Sequence, residues 1–149
     1  MTYTAKIEQT FAYPKRMKYI AQTDSFIEEG YDSLFYIRKV RQPYGWIKET
    51  GTPPCAHLDV IVMTDREYEL GDEEHIKIIG VFRRNDGDHK LVSVPMNREI
   101  NDLSELTNEE KNDLHRLYPK EKAGEGWFGH EIAENLVKDF FMHRRNCNG

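Results

Sequence analysis

Two apolar segments joined by a short turn place the strongest limit on what this chain can fold into. Residues 75–83 and 90–94 are rich in apolar and β-branched side chains, and Asn85-Asp86-Gly87-Asp88 lies between them. The Asp-Gly pair tolerates the positive φ of a tight hairpin turn, so we predict two neighbouring antiparallel strands. Residues 58–63 form a third short run. Strands this close together, with no helix between them, predict an antiparallel barrel or sandwich.

Other segments predict one more strand and two helices. Residues 34–40 alternate between apolar and polar side chains toward their end, which is typical of a half-buried strand. Thr107-Asn108-Glu109-Glu110 is a capping box that predicts a helix ending near Leu117. Residues 130–143 carry apolar side chains at helical spacing and predict a second helix. The predicted fold class is mostly β with flanking α: a small barrel with one or two C-terminal helices.

The length and the charge of the chain limit the classes of function. The 149 residues fit one domain, residues 1–149, with a single hydrophobic core. Twenty-one basic against 26 acidic residues give a net charge of −5, which disfavours binding to nucleic acid or to an anionic membrane. No apolar run approaches the ~20 residues of a membrane span. Two cysteines and the lack of an apolar leader in the first residues predict a reducing, cytoplasmic location.

Acidic side chains in and beside the predicted strands are the first candidates for a functional site. Asp59 interrupts an apolar strand, and Asp86 and Asp88 flank the turn glycine just before Lys90. A carboxylate within an apolar strand is costly unless it is paired, lies at a barrel mouth or binds a cation. Mg²⁺ commonly uses a few carboxylates together with waters and substrate phosphates. A solvated hairpin tip with an acid at a strand edge explains the same residues, so both interpretations stay open.

Basic and aromatic side chains offer two further interpretations. Arginine and lysine near a metal site suit a phosphate substrate, because they offset its spread anionic charge. The same residue types could form a patch for single-stranded nucleic acid on an OB-type barrel. That patch would consist of Tyr36, Arg38, Lys39, Arg41 and Tyr44. The acidic balance and the acid within the strand argue against it.

The order and spacing of these segments resemble those of a known family. From Tyr44 to Pro95 the chain resembles the soluble inorganic pyrophosphatases of the OB-barrel type. Tyr44-Gly45-Trp46-Ile47 resembles the family's Tyr-Gly-aromatic-Ile segment, and Leu58-Asp59-Val60-Ile61-Val62 resembles the end of its Asp-x-Asp-Pro-x-Asp-Val signature. Residues 79–95 are similar to its Ile-Gly-Val…Asp-x-Lys-apolar-x-x-Val-Pro stretch. The resemblance extends more weakly over residues 30–141.

The resemblance implies an OB-type closed five-stranded barrel whose mouth hydrolyses pyrophosphate with Mg²⁺ or another divalent ion such as Mn²⁺. It implies catalytic roles for Asp59 and Asp88, which would also bind the metal. Asp86 is a further candidate metal ligand in the shortened hairpin. Substrate-binding roles fall on Arg38, Tyr44 and Lys90. The substrate would be pyrophosphate or a related phosphoanhydride, and the implied assembly is a homo-oligomer.

The chain also departs from the family's pattern within the signature. Pro54 and Ala56 stand where the signature has its first two acids, and His57 stands where it has proline. Each lost carboxylate removes a ligand from an ion that otherwise stays hydrated. Two hypotheses follow. The first is a metal-dependent pyrophosphatase with altered metal demand, and the second is a catalytically impaired domain that binds phosphate ligands or proteins.

Overall fold

Eight strands and three α-helices make up most of residues 2–144, the part of the chain that the structure, a computed structural model, describes. The strands are β1 (Thr2–Gln9), β2 (Lys15–Ile20), β3 (Ser25–Asp32), β4 (Tyr44–Ile47), β5 (Asp59–Val62), β6 (Glu73–Arg83), β7 (Lys90–Pro95) and β8 (Gly126–Gly129). The helices are α1 (Leu34–Ile37), α2 (Asn108–Leu117) and α3 (His130–His143). None of these helices is long and apolar enough to cross a bilayer.

Five strands close into a barrel, which confirms the predicted fold class. Their order around the barrel is β1-β4-β5-β7-β6, and β6 pairs with β1 to complete the ring. β5 and β7 run parallel, whereas the other pairs in the ring are antiparallel. β8 extends the sheet beyond β6, and β2 and β3 form a separate two-stranded sheet. The parallel pair aligns the first residues of β5 and β7, Asp59 and Lys90, in register.

The central strands are buried on both faces, because helices cover them from two sides. Val60 and Val62 belong to a cluster that includes Ala133 and Val137 of α3, whereas Ile61 belongs to a cluster that includes Leu114 and Leu117 of α2. A strand that contacts apolar side chains on both faces needs no polar alternation, which explains the unbroken apolar run in β5.

The predicted hairpin and both C-terminal helices are confirmed, whereas the strand predicted at residues 34–40 is wrong. Leu34–Ile37 form the single turn α1, and Lys39 after it has a φ of +57°. Phe35 and Val40 are both buried in the α2 cluster, and the backbone N–H of Val40 donates to the Phe35 carbonyl (2.9 Å). The apolar residues of this segment therefore form a compact turn, which buries Phe35 and Val40, and not an extended strand.

Gly45 in the middle of β4 is fixed by a close backbone approach. A Cβ at this position would lie 1.8 Å from the carbonyl oxygen of Lys6 on β1. We expect Gly45→Ala to lower the free energy of unfolding by about 2 kcal/mol, because the two strands must separate to admit the methyl group. Gly30→Ala on β3 is the control, since nothing lies within 4 Å of its Cβ. Equal urea midpoints for the two variants would contradict the expectation.

Candidate active site

The ammonium group of Lys90 is the centre of the candidate site. Its Nζ donates to Asp59 Oδ2 (2.8 Å), Asp88 Oδ1 (3.0 Å) and the Tyr44 hydroxyl (3.1 Å). The parallel pairing of β5 with β7 brings Asp59 beside Lys90, and the hairpin returns Asp88 to the same point. Lys90 is only 7% exposed and the Asp59 side chain 15%, so water screens the contact between these two poorly, whereas the Asp88 side chain is 55% exposed. The structure thus brings four of the six sequence-predicted site residues together.

His57 forms the second partner of Asp59. Its Nε2 lies 3.0 Å from Asp59 Oδ1, and its Nδ1 lies 2.8 Å from the carbonyl oxygen of Cys55. Both of these oxygens accept hydrogen bonds, so this environment favours the protonated form of the ring. Burial would lower the pKa of His57, but the hydrogen bonds to Asp59 and to the Cys55 carbonyl, together with the Asp59 charge, outweigh it and raise the pKa.

Asp59 is held as a carboxylate between the Lys90 ammonium and the His57 ring. Burial would raise the pKa of Asp59, but the hydrogen bond from His57 and the charge of Lys90 hold it well below its usual range. Burial also disfavours the charged form of Lys90, and Asp59 reverses this and raises the Lys90 pKa. The Tyr44 hydroxyl stays protonated, because burial and the Asp59 charge raise its pKa well above its usual value. The site therefore presents the Lys90 ammonium, the His57 imidazole and a neutral hydroxyl around one carboxylate.

The depressed pKa of Asp59 predicts a stability change at acidic pH. A group whose pKa is lower in the folded state stabilises the fold above its unfolded pKa, about 3.9 for Asp, and this contribution is lost as the pH falls further. We expect the free energy of unfolding to fall more steeply below about pH 4 in the wild type than in Asp59→Asn. Urea denaturation at a series of pH values measures the difference. Parallel curves for the two proteins would contradict it.

Two further charged side chains, Glu8 and Arg16, come from the part of the chain where no motif was found. Arg16 Nη2 donates to Glu8 Oε1 (3.2 Å), and the guanidinium lies 5.7 Å from the centre of the Tyr44 ring. The buried amide of Gln9 holds the backbone around Arg16 by accepting from the Met17 N–H (2.8 Å) and donating to the Lys15 carbonyl (3.1 Å). Burial raises the pKa of Glu8 despite the nearby Arg16.

A cavity of about 460 Å³ joins these two residues to the Asp59 side of the site. Glu8, Arg16, His57 and Asp59 line its charged end. Glu8 follows Ile7 in a segment where apolar and polar side chains alternate, and this is the only signal that the sequence gives for it. A single acid in such a segment does not by itself indicate a functional site. The sequence gives no indication of a role for Arg16, because its position beside the barrel depends entirely on how the β2–β3 hairpin folds.

The remaining two predicted residues are used differently by the structure. Asp86 Oδ1 accepts from the Asp88 N–H (2.9 Å) and so shapes the hairpin turn, and its other oxygen lies 3.6 Å from Arg84. The Arg38 guanidinium donates to the Leu117 carbonyl at the end of α2. Among the hydrogen bonds and ion pairs of residues 2–144, none joins Arg38 to Asp59, Asp88 or Lys90. Its place follows from the helical turn α1, which replaces the expected strand.

The acidic residues present can supply a minimal metal site. Within residues 2–144, no three or more His, Cys, Asp or Glu side chains surround a single point. Asp59 and Asp88, however, already converge on one cation, the Lys90 ammonium. Mg²⁺ in proteins often has only one or two carboxylate ligands, with waters and substrate phosphates completing the octahedron. The site therefore fits a divalent ion that is bound together with its substrate rather than in a complete protein cage.

Cys55 precedes His57 in the loop before β5. It is disulfide-bonded.

Comparisons with known proteins identify the family and the fold of the chain. Residues 11–145 match the family described as inorganic pyrophosphatase. Comparison with curated protein sequences gives no significant match. Among solved structures, an inorganic pyrophosphatase from Neisseria gonorrhoeae is 21% identical with a TM-score of 0.73, and the match covers 93% of this chain and 88% of that one.

Two other solved structures show the same fold. An inorganic pyrophosphatase from Coxiella burnetii is 16% identical with a TM-score of 0.74, covering 97% of this chain and 95% of that one. An inorganic pyrophosphatase from Thermus thermophilus is 16% identical with a TM-score of 0.71, covering 95% and 90%. At this level of identity the likeness concerns the whole architecture of the chain and not particular side chains.

Proposed function

The chain belongs to the inorganic pyrophosphatase family, and from this we propose that it hydrolyses pyrophosphate to two phosphates at the Lys90 site. The observation that carries the proposal is the convergence of Asp59, Asp88 and Tyr44 on the Lys90 ammonium. These residues come from three different strands and a hairpin, and their charges match those that a metal-assisted reaction on a phosphoanhydride requires.

Membership of the family implies a divalent metal ion, and we propose Mg²⁺ as that ion. Asp59 and Asp88 are the residues that would hold it, with Asp86 as the further candidate ligand in the hairpin. When bound, such an ion lowers the pKa of a coordinated water and offsets the charge of the phosphates.

The cations and hydroxyl of the chain itself would bind and orient the substrate. Lys90 has three N–H donors, and a phosphate oxygen can replace the Asp88 oxygen, since the Asp88 side chain is 55% exposed and that of Asp59 only 15%. The neutral Tyr44 hydroxyl can donate to a second phosphate oxygen, because no ionised phenolate repels it. Arg16 adds positive charge at the same cavity. Arg38 stays a predicted phosphate ligand, and this role requires it to leave the Leu117 carbonyl.

Phosphate release from pyrophosphate by the purified full-length chain tests the proposal. We expect turnover that requires Mg²⁺ or Mn²⁺ and that is lost when a chelator is added. Zn²⁺ and Co²⁺ belong in the same series, because imidazole from His57 suits these ions better than Mg²⁺. Folded protein that releases no phosphate with any of the four ions would contradict the proposal. The hypothesis of a domain that has lost catalysis is not favoured by the family match or by the structural neighbours.

A change in the loop before β5 should alter metal affinity in a predictable direction. Ala56 is exposed, and it stands where the family's signature has an acid. We expect Ala56→Asp to tighten Mg²⁺ binding, because a third carboxylate adds a negative ligand to the two-carboxylate set. Ala56→Asn is the matched control, since it has the same shape without the charge. Calorimetric titration with Mg²⁺ measures both variants, and equal affinities would contradict the placement of the metal site.

The assembly and location of the protein are proposals as well. We propose a homo-oligomer in the cytoplasm, as the resemblance and the sequence predict. Light scattering of the purified protein checks the first part. Thiol labelling of the protein taken directly from cells checks the second: we expect Cys55 to be labelled as a reduced thiol in the cytoplasm, and an intact disulfide at Cys55 would contradict that location.

A further inference from the structure

We propose that the substrate class of this site includes organic esters of diphosphate, and specifically nucleoside diphosphates. The inference rests on the proposed function, since it requires the Lys90 site to cleave a phosphoanhydride bond. It follows from the size and lining of the cavity beside Asp59. At about 460 Å³ the cavity lies within the range, about 300–1,000 Å³, that proteins use for whole organic ligands. Pyrophosphate consists of two phosphate groups alone and needs only the charged end.

The hairpin β2–β3 supplies an apolar and aromatic wall for the outer part of the cavity. Met17 and Tyr19 line it, and the Tyr19 ring is fixed by contacts with Trp46 (4.9 Å between ring centres) and Phe26 (5.1 Å). These side chains offer carbon surface and carry no charge. A wall of this kind binds an organic group and adds nothing to the binding of a free phosphate.

Two prolines add a further part of the lining that is unsuited to phosphate. Pro53 and Pro54 line the cavity, and proline has no backbone N–H to donate to a phosphate oxygen. The charged end formed by Glu8, Arg16, His57 and Asp59 lies next to Lys90, which contacts Asp59, and Lys18 and Glu29 also line the cavity. The cavity therefore offers carbon surface for an organic group joined to the phosphates, beside an ionic cluster next to Lys90.

Tyr31 and its neighbours favour a nucleoside over a purely aliphatic group. Tyr31 also lines the cavity but is 60% exposed, and no ring contact is recorded for it within residues 2–144. Proteins bind exposed bases by stacking them on such rings and by hydrogen-bonding their edges. Glu29 and Gln22 line the same cavity as Tyr31. Their side chains can accept from base amino and imino groups.

The proposed reaction is the hydrolysis of the anhydride bond of a nucleoside diphosphate. A water oxygen bonds to the terminal phosphorus, and the bond between that phosphorus and the bridging oxygen breaks. The bridging oxygen leaves with the nucleoside monophosphate, and the water protons pass to the products and to the solvent. One nucleoside diphosphate and one water thus give one nucleoside monophosphate and one orthophosphate.

Binding and turnover together test the inference on the full chain with Mg²⁺. Calorimetry compares the α,β-methylene analogues of ADP, GDP, CDP and UDP with methylenediphosphonate, which has no organic group. We expect at least one nucleotide analogue to bind about 10-fold more tightly than the diphosphonate. We expect Tyr31→Ala to lower that ratio of affinities about 10-fold. Tyr13→Ala, another partly exposed tyrosine outside the cavity, should leave the ratio unchanged.

Turnover separates failure of the inference from failure of the proposed function. Release of phosphate from a nucleoside diphosphate, at a kcat/KM at least equal to that for pyrophosphate, supports the inference. Turnover of pyrophosphate with no hydrolysis of any of the four nucleoside diphosphates overturns it and leaves the proposed function standing. No turnover of any of these compounds by folded protein overturns both. If Tyr31→Ala leaves the ratio of nucleotide-analogue to diphosphonate affinity unchanged, Tyr31 does not bind the base and this part of the inference is overturned.

Discussion

Asp59→Asn is expected to abolish phosphate release and to lower the free energy of unfolding by about 3 kcal/mol. The carboxylate accepts from Lys90 and from His57, and all three side chains are largely buried. Removing one partner of a buried ion pair leaves the other charge uncompensated, which typically costs about 3–5 kcal/mol. The asparagine oxygen can still accept one of the two hydrogen bonds, which places the loss at the lower end. The same change removes a proposed metal ligand.

Phosphate release and urea denaturation at neutral pH measure the two effects of Asp59→Asn. Asp139→Asn on α3 is the matched control, because its carboxylate is 70% exposed and its contact with His143 lies at the surface. We expect this control to change the free energy of unfolding by less than about 1 kcal/mol. Activity or stability of Asp59→Asn close to that of the control would mean that Asp59 is an ordinary surface acid.

Asp88→Asn is expected to lower kcat/KM at least about 100-fold with little effect on stability. Loss of a residue that only supports a metal ligand typically costs about 10–100-fold, so loss of a ligand should cost more. The Asp88 side chain is 55% exposed, so its contact with Lys90 contributes little to folding, less than about 1 kcal/mol. The expected result is therefore a folded, inactive protein, in contrast to the unstable Asp59→Asn.

Asp86→Asn provides the comparison within the same hairpin. Its carboxylate accepts from the Asp88 N–H, and the amide oxygen of asparagine can accept the same bond. If Asp86 only shapes the turn, Asp86→Asn retains most of the activity, and if it binds the metal, activity falls as in Asp88→Asn. High activity in Asp88→Asn would show that Asp88 does not hold the ion, and high activity in both variants would show that neither hairpin acid does.

The barrel could be predicted from the sequence because its strands carry local signals. The strands of the hairpin around Gly87 and the strand β5 are apolar and are separated by turn residues. The pattern of apolar residues and the turn residues therefore both agree with the sheet in the structure. The strand predicted at residues 34–40 is wrong because the spacing of apolar residues there fits both a strand and a compact turn. Only burial against α2 decides between the two. Local pattern alone cannot distinguish these cases.

Parts of the site could be predicted only where a motif places residues in register. Asp59, Asp88 and Lys90 belong to segments with a fixed order, and the structure brings them together. Glu8 and Arg16 reach the same cavity through the pairing of β1 with β4 and through the β2–β3 hairpin. These pairings depend on contacts between residues far apart in the chain, and a single charged residue gives no sign of them.

Closure of the barrel through β1 has a consequence for the order in which the protein folds. Thr2 on β1 pairs with Lys77 on β6, so the first strand cannot complete its pairing until more than half of the chain has been made. Contacts so distant in sequence form slowly, since a long loop must be ordered before they form. We expect the β6–β7 hairpin, with Asp88 and Lys90, to form early during synthesis, and Glu8 to join the site only when the ring closes. A ribosome-bound chain that stops before β6 would therefore lack a competent site, however complete its N-terminal strand.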